Sequence, residues 1–226
     1  MIYFYRKDFD KMKKILFAVL ITMILLSSIS FSQETIVSKN YFPLKKGNFW
    51  IYKISTGAHI RYEVTGMKTI EGKRYFVMSS SPVKGNIEMT ETYFADSTGV
   101  YLHNRSNKTQ NAVFEPDQLF IKYPLKPGMT WTWKGISEND EMILNFSVAD
   151  FEIINIKNVN INCLKMTVKY SSKSLKPDYS DTYWLADNIG IVKQITEASY
   201  QGKSVKISRI LDYYKNYLSP VNDILP

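Results

Sequence analysis

His59 and His103 are the only histidines in the chain and Cys163 its only cysteine, so the side chains that most often shuttle protons or attack carbonyls near neutral pH are almost missing. There is no His-Glu-x-x-His, no Gly-x-Ser-x-Gly, no glycine-rich phosphate loop and no cysteine cluster, the motifs of the common zinc, acyl-transfer and nucleotide sites. A zinc ion would need both histidines together with carboxylates from distant segments. Both stand beside predicted turns and read as surface turn residues, and no metal or other cofactor is expected.

Carboxylates are more plentiful, and two of them, suitably placed, suffice for glycosidase-type acid–base work. Glu138, Asp140 and Glu141 cluster in a predicted loop after Trp133, and Glu115 and Asp117 flank Pro116. Acids gathered in a loop are ordinarily solvated, so a carboxylate-dependent hydrolase ranks third among the functional readings and no catalytic residue is assigned. Asp96 and Asp187 recur in matching contexts; an aspartate bonding the backbone ahead of it in a turn accounts for both without chemistry. Cys163 lies in an apolar run without basic or histidine neighbours and reads as a small core residue. Asn104-Arg-Ser, Asn107-Lys-Thr and Asn145-Phe-Ser match the glycosylation triplet, which is common by chance.

Aromatic side chains are the abundant resource, with 16 Tyr, 12 Phe and 4 Trp. Trp50, Tyr52, Trp131, Trp133, Tyr183 and Trp184 are the residues expected in the core or lining a ligand cavity.

The elements that must position them are written twice. Residues 42–53, FPLKKGNFWIYK, align with 123–134, YPLKPGMTWTWK, with six identities, among them Pro43/Pro124, Gly47/Gly128 and Trp50/Trp131. A second pair follows in the same order, TYFADSTGVY from Thr92 and TYWLADNIGIV from Thr182. Two ordered matches predict a duplicated unit of about 80 to 90 residues. In the first motif Pro fixes φ, Gly permits a left-handed turn, and alternating aromatics follow on one face of a strand. In the second, Asp96 to Gly99 and Asp187 to Gly190 read as hairpin turns closed by a left-handed glycine.

Between the motifs run short alternating segments, punctuated by turn signals at Glu71-Gly72-Lys73, Lys157-Asn158 and Gln201-Gly202. The apolar phase changes parity between Cys163 and Leu164, which predicts a bulge there. No amphipathic helix of ten or more residues stands out, and 212–218 is the best short candidate. The fold class is therefore all-β: an internally duplicated antiparallel meander forming one curved sheet or open barrel of about ten to twelve strands.

Residues 1–32 read as a signal peptide, with Lys13-Lys14, an apolar run from Ile15 to Leu26, and small residues Ser30 and Ser32 before a cut at Gln33. Met12 makes a compact start of its own, so residues 1–11 read as the product of a misplaced start. Residues 33–226 form a single β domain with repeats at about 41–115 and 123–213. A lipid-anchored protein needs a cysteine directly after its signal, so the sequence predicts an extracytoplasmic chain, periplasmic or secreted, that is not a lipoprotein and keeps no stable membrane span. The net charge is +8, and the first 32 residues hold five basic and two acidic side chains, leaving +5 scattered singly over the rest. Scattered charge argues against a nucleic-acid partner.

The Pro-Leu-Lys-x-Gly-x-x-Trp motif and YWLADNIGIV, in an exported β-rich chain, resemble those of uncharacterised exported bacterial proteins. More distantly, the layout resembles the lipoprotein-carrier (LolA/LolB-like) type. That resemblance implies an open curved sheet with an apolar cavity covered by helices. The functional expectation is an exported, non-enzymatic binding or carrier module for an apolar or amphiphilic, lipid-like ligand. The alternative is a cell-envelope interaction module binding a protein or glycan. N-terminal sequencing of protein from its own host is expected to start near Gln33 with no attached lipid; membrane-bound protein retaining 15–26 would contradict the export reading.

Overall fold

The computed structural model describes residues 39–172, 178–200 and 203–216; the signal segment and the predicted turn at 201–202 lie outside them. Twelve strands follow one another: β1 (Phe49–Ile54), β2 (His59–Ile70), β3 (Lys73–Pro82), β4 (Met89–Ala95), β5 (Gly99–Asn107), β6 (Asn111–Lys122), β7 (Thr130–Ser137), β8 (Asp140–Ile156), β9 (Val159–Ser172), β10 (Asp178–Ala186), β11 (Gly190–Tyr200) and β12 (Lys203–Lys215). Each pairs antiparallel with the next, and β12 returns to β1. The meander is thus a closed barrel, not an open sheet. Trp50 stands opposite Tyr214 and Tyr52 opposite Leu211, which leaves no unpaired edge to protect. Of the predicted helix at 212–218, residues 217 and 218 lie outside the described residues, and the rest is displaced by this closure. Asp212 to Lys215 complete β12, with the Tyr213 ring 5.7 Å from Phe49 of β1.

Alternation builds the wall. In β8 and β9, Leu144, Phe146, Val148, Ile161, Met166 and Val168 are buried while Asn145, Ser147, Asn162 and Lys169 are exposed. A membrane barrel carries the reverse pattern, with its apolar band outward. Tight hairpins join the strands where two consecutive residues take positive φ: Glu71-Gly72 (48° and 78°), Lys157-Asn158 (46° and 68°) and Glu138-Asn139 (51° and 64°). The first two match the turns read from sequence. The third replaces the acidic loop, because β7 runs on to Ser137 and Asp140 already opens β8.

Cys163 and Leu164 are both wholly buried, but the extra residue belongs to the partner strand. Val148 pairs with Met166 and Phe151 with Leu164, so Ala149 and Asp150 of β8 face Lys165 alone. A change of parity in one strand can be absorbed by a bulge in either.

The two copies of the first motif make the same loop. Gly47 and Gly128 take φ of 90° and 80°. Gly47 N–H donates to Val64 O at 2.8 Å and Gly128 N–H to Val148 O at 2.9 Å; Val64 and Val148 answer with bonds to Asn48 O and Met129 O, each 2.9 Å. These loops enter β1 and β7, six strands apart, and the second motif joins β4 to β5 and β10 to β11, again six apart. The second-motif turns differ from each other. Asp96 Oδ1 accepts the N–H groups of Thr98 and Gly99 as expected, whereas Asp187 Oδ1 accepts Asn40 N–H at 2.7 Å. Gly190 is left-handed at 95°. Gly99 is not, and glycine is required there because a Cβ would lie 2.2 Å from Ile121 O.

One seam is short of backbone bonds. β6 meets β7 only through Phe114 opposite Ser137 and Glu115 opposite Ile136. Two indoles reinforce it, Trp131 Nε1 donating to Leu119 O at 3.0 Å and Trp133 Nε1 to Pro116 O at 3.1 Å. Trp50 donates to Ile189 O at 2.6 Å near the β12–β1 closure. Trp50 and Trp131 are 4% and 8% exposed, so Trp50→Ala and Trp131→Ala should each cost about 3–5 kcal/mol. Chemical denaturation measures this; a midpoint shift no larger than that of an exposed Lys→Ala control would contradict these packing roles.

Candidate ligand site in the barrel lumen

The barrel encloses a cavity of about 550 Å³ open to solvent. Its lining is mixed: Leu102, Phe114, Phe120 and Met142 on one side, and tyrosine hydroxyls with six charged groups on others. The resemblance implied an apolar cavity under helices, yet no helix occurs among the described residues and the lumen carries buried charge.

Glu91 of β4, 6% exposed, faces Arg105 of β5 directly across the ladder. Arg105 Nε donates to Glu91 Oε1 at 2.7 Å and Tyr93 OH to Oε2 at 3.0 Å. A bulge makes this possible. Thr92 pairs with Asn104 and Tyr93 with Leu102, leaving His103 as an extra residue. Without it, alternation from the inward Leu102 would turn Arg105 outward.

Asp181 of β10, 4% exposed, is saturated by four donors. Tyr170 and Tyr183 hydroxyls reach Oδ2 at 2.8 and 3.2 Å. Gln194 Nε2 and Thr196 Oγ1 reach Oδ1 at 2.9 and 2.5 Å. Four donors on two oxygens fix the carboxylate in place. Arg209 of β12 lies between two rings, its guanidinium 4.8 Å from Tyr52 and 4.4 Å from Tyr62. Burial opposes its charge, but Tyr62, Tyr52, Tyr183 and Glu91 outweigh that and push its pKa further up. Burial first, and then the nearby carboxylates, push the Tyr93 and Tyr183 hydroxyls well above the ordinary tyrosine range; burial, Tyr183 and Asp181 do the same for Tyr170.

Of the six aromatics singled out from the sequence, Tyr183 lines this cavity. Trp50 and Tyr52 border a void of about 30 Å³ that shares Tyr62, Glu91 and Arg209 with it. Trp131 is buried in the wall, stacked on Phe146 at 4.7 Å, and Trp133 packs edge-on to Phe114. Trp184 packs between Lys165 and Lys193 and donates to Glu152 Oε2 at 2.6 Å, away from the cavity lining. Among the acids, Glu138 and Asp140 line the lumen, whereas Glu141 borders a shallow groove on the barrel surface with Ile143.

Glu91, Arg105, Asp181 and Arg209 are not among the residues singled out from the sequence. A signal for two of them was present. The second repeat extends one residue earlier, Glu91-Thr-Tyr-Phe against Asp181-Thr-Tyr-Trp. In both copies the tyrosine bonds the acid two residues before it.

The histidines do not meet this site. His103 is the bulge residue within β5 and not a turn residue; its Nδ1 lies 2.7 Å from Asp117 Oδ1. Tyr75 OH and Lys73 Nζ reach Asp117 Oδ2 at 3.0 Å each. Burial works against the Asp117 charge, but these three partners hold its carboxyl below the usual range. His59 begins β2, 3.8 Å from Asp212. No group of three metal-ligating side chains is assembled among the described residues.

A tyrosine whose pKa is raised by folding adds stability that is complete below the unfolded value of about 10 and is lost as pH climbs through the folded value. Alkaline titration followed by tyrosinate absorbance should therefore show a fraction of hydroxyls that ionise only as the barrel unfolds. Tyr170→Phe and Tyr183→Phe should each shrink that fraction. Complete ionisation near pH 10 with the fold intact would contradict the arrangement described for the lumen.

No protein-family model matches the chain, and no curated protein matches it. Solved structures similar to it include the following three. A protein of Parabacteroides distasonis, provisionally described as a lipoprotein, is 14% identical with a TM-score of 0.45, over 78% of this chain and 99% of its own. A protein of Bacteroides fragilis, provisionally described as exported and with a YmcC-like fold, is 14% identical with a TM-score of 0.46, over 79% and 100%. The hypothetical lipoprotein YmcC of Escherichia coli is 13% identical with a TM-score of 0.40, over 78% and 90%. None of the three is described as a LolA- or LolB-like carrier, and similarities of this size carry no functional argument.

Proposed function

We propose that the chain is an exported, non-enzymatic binding module whose lumen holds one amphiphilic small molecule. The observation that carries this reading is the mixed lining of a cavity of about 550 Å³, within the range of roughly 300–1,000 Å³ usual for small-molecule sites. Leu102, Phe114, Phe120 and Met142 offer an apolar berth, while Arg209, Tyr62 and the fixed acids offer a polar pole. A purely apolar lipid would leave that pole unmatched, at the desolvation cost of buried polar groups, so an amphiphile fits better.

Export rests on the signal-like residues 1–32, and the domain on residues 33–226, which we read as two six-strand copies of one unit. Cys163 is wholly buried in β9, and burial, with help from Glu152, pushes its thiol up to about 12.

Thermal unfolding of delipidated protein with a series of decyl-chain amphiphiles tests the binding. A true ligand should add about 2.7 kcal/mol at a hundred times its dissociation constant. Leu102→Trp, which fills the apolar side, should abolish the shift. Absence of a shift with every charged and neutral amphiphile would overturn the reading.

A further inference from the structure

We propose that Arg209 is the anion-recognising residue of this lumen and that its ligand presents an oxyanion, a carboxylate or a phosphate monoester, to the guanidinium. The inference rests on the lumen-binding reading and adds the chemistry of the ligand's polar end.

Three of the lumen charges, Glu91, Arg105 and Asp181, already have partners. Glu91 gives one oxygen to Arg105 and the other to Tyr93. Asp181 is filled by two hydroxyls on one oxygen and by Gln194 and Thr196 on the other. Arg209 differs. Its close contacts are the faces of Tyr52 and Tyr62, and its Nε is buried without a hydrogen-bond partner. A buried donor left unpaired is costly and uncommon in native proteins. A guanidinium clamped by rings is already ordered, and its donor edge matches the two oxygens of a carboxylate or phosphate.

The surroundings agree. Tyr62 lines the same cavity, and its hydroxyl bonds no side chain or carbonyl among the described residues, so it can supply a further donor. Leu102 lies on β5 and Phe114 and Phe120 on β6, five to six strands from β12 in a ring of twelve. They stand nearly opposite Arg209, where an apolar tail would lie once the head is held. Glu138 and Asp140 are at the β7–β8 turn, also far round the ring from β12, and would repel an oxyanion from the wrong end.

Calorimetric titration of the mature protein with decanoate, decyl phosphate, decanol, acetate and inorganic phosphate tests this. Decanoate or decyl phosphate should bind about ten- to a hundredfold more tightly than decanol, the range expected of a charge-assisted hydrogen bond. Arg209→Gln should bring the anionic compounds down to the decanol level and leave decanol unchanged. Arg209→Lys, which keeps the charge and loses the fork, should fall between and guards against a folding defect in the glutamine variant. Tighter binding of decyl compounds than of acetate or phosphate assigns the oxyanion to a head group. Equal binding assigns it to a free anion, and either result supports recognition by Arg209. Decanol binding as tightly as decanoate overturns the inference while the lumen reading stands. No binding by any compound overturns both.

Discussion

Twelve strands closed into one ring enclose more space than their inward side chains fill, since about eight strands already give an interior just wide enough to be packed. Much of the structure answers that constraint. Phe42, Tyr93, Phe120 and Tyr183 meet ring against ring, and large aromatics bridge distances that aliphatic side chains could not. Where they stop, the lumen remains, and the polar groups beside it have to satisfy one another. Tyr93 with Glu91 and Tyr183 with Asp181 do so in the same way on strands six apart in the ring.

The inner and outer walls are linked through single residues. His103 is the extra residue that turns Arg105 inward, and on the opposite face it is held by Asp117, which Lys73 and Tyr75 also bond. The outer cluster, with the geometry of an acid–histidine dyad, thus fixes the bulge that places the Glu91–Arg105 pair. The same side chains that could be mistaken for a catalytic group have a structural task already.

Much of the fold was legible because strand alternation and turn chemistry are local. The residues around Gly47 and Gly128 specify their loops outright, and Glu71-Gly72 and Lys157-Asn158 specify their hairpins. Closure was not legible, since the pairing of Trp50 with Tyr214 joins the two ends of the meander and leaves no mark on either strand alone. The side of a bulge was hidden for a similar reason: parity breaks at Cys163 but the inserted residue sits in β8. The lumen site was not legible because its distinctive members are charges on the apolar face, not aromatics. Glu91 and Asp181 stand one residue before the matching segments that begin at Thr92 and Thr182. Arg209 follows a run of exposed residues in β12 and has no local sign of the two rings that enclose it.

The seam between β6 and β7 bears on where such a ring can open. With two residue pairs of backbone ladder and two indole bonds, it is the place where separating neighbouring strands breaks the fewest main-chain bonds, and local opening follows the least protected boundary. Phe114 both pairs across that seam and lines the lumen. Parting β6 from β7 would therefore unzip the wall sideways at Phe114 and open the lumen laterally while the β12 side of the ring stays shut.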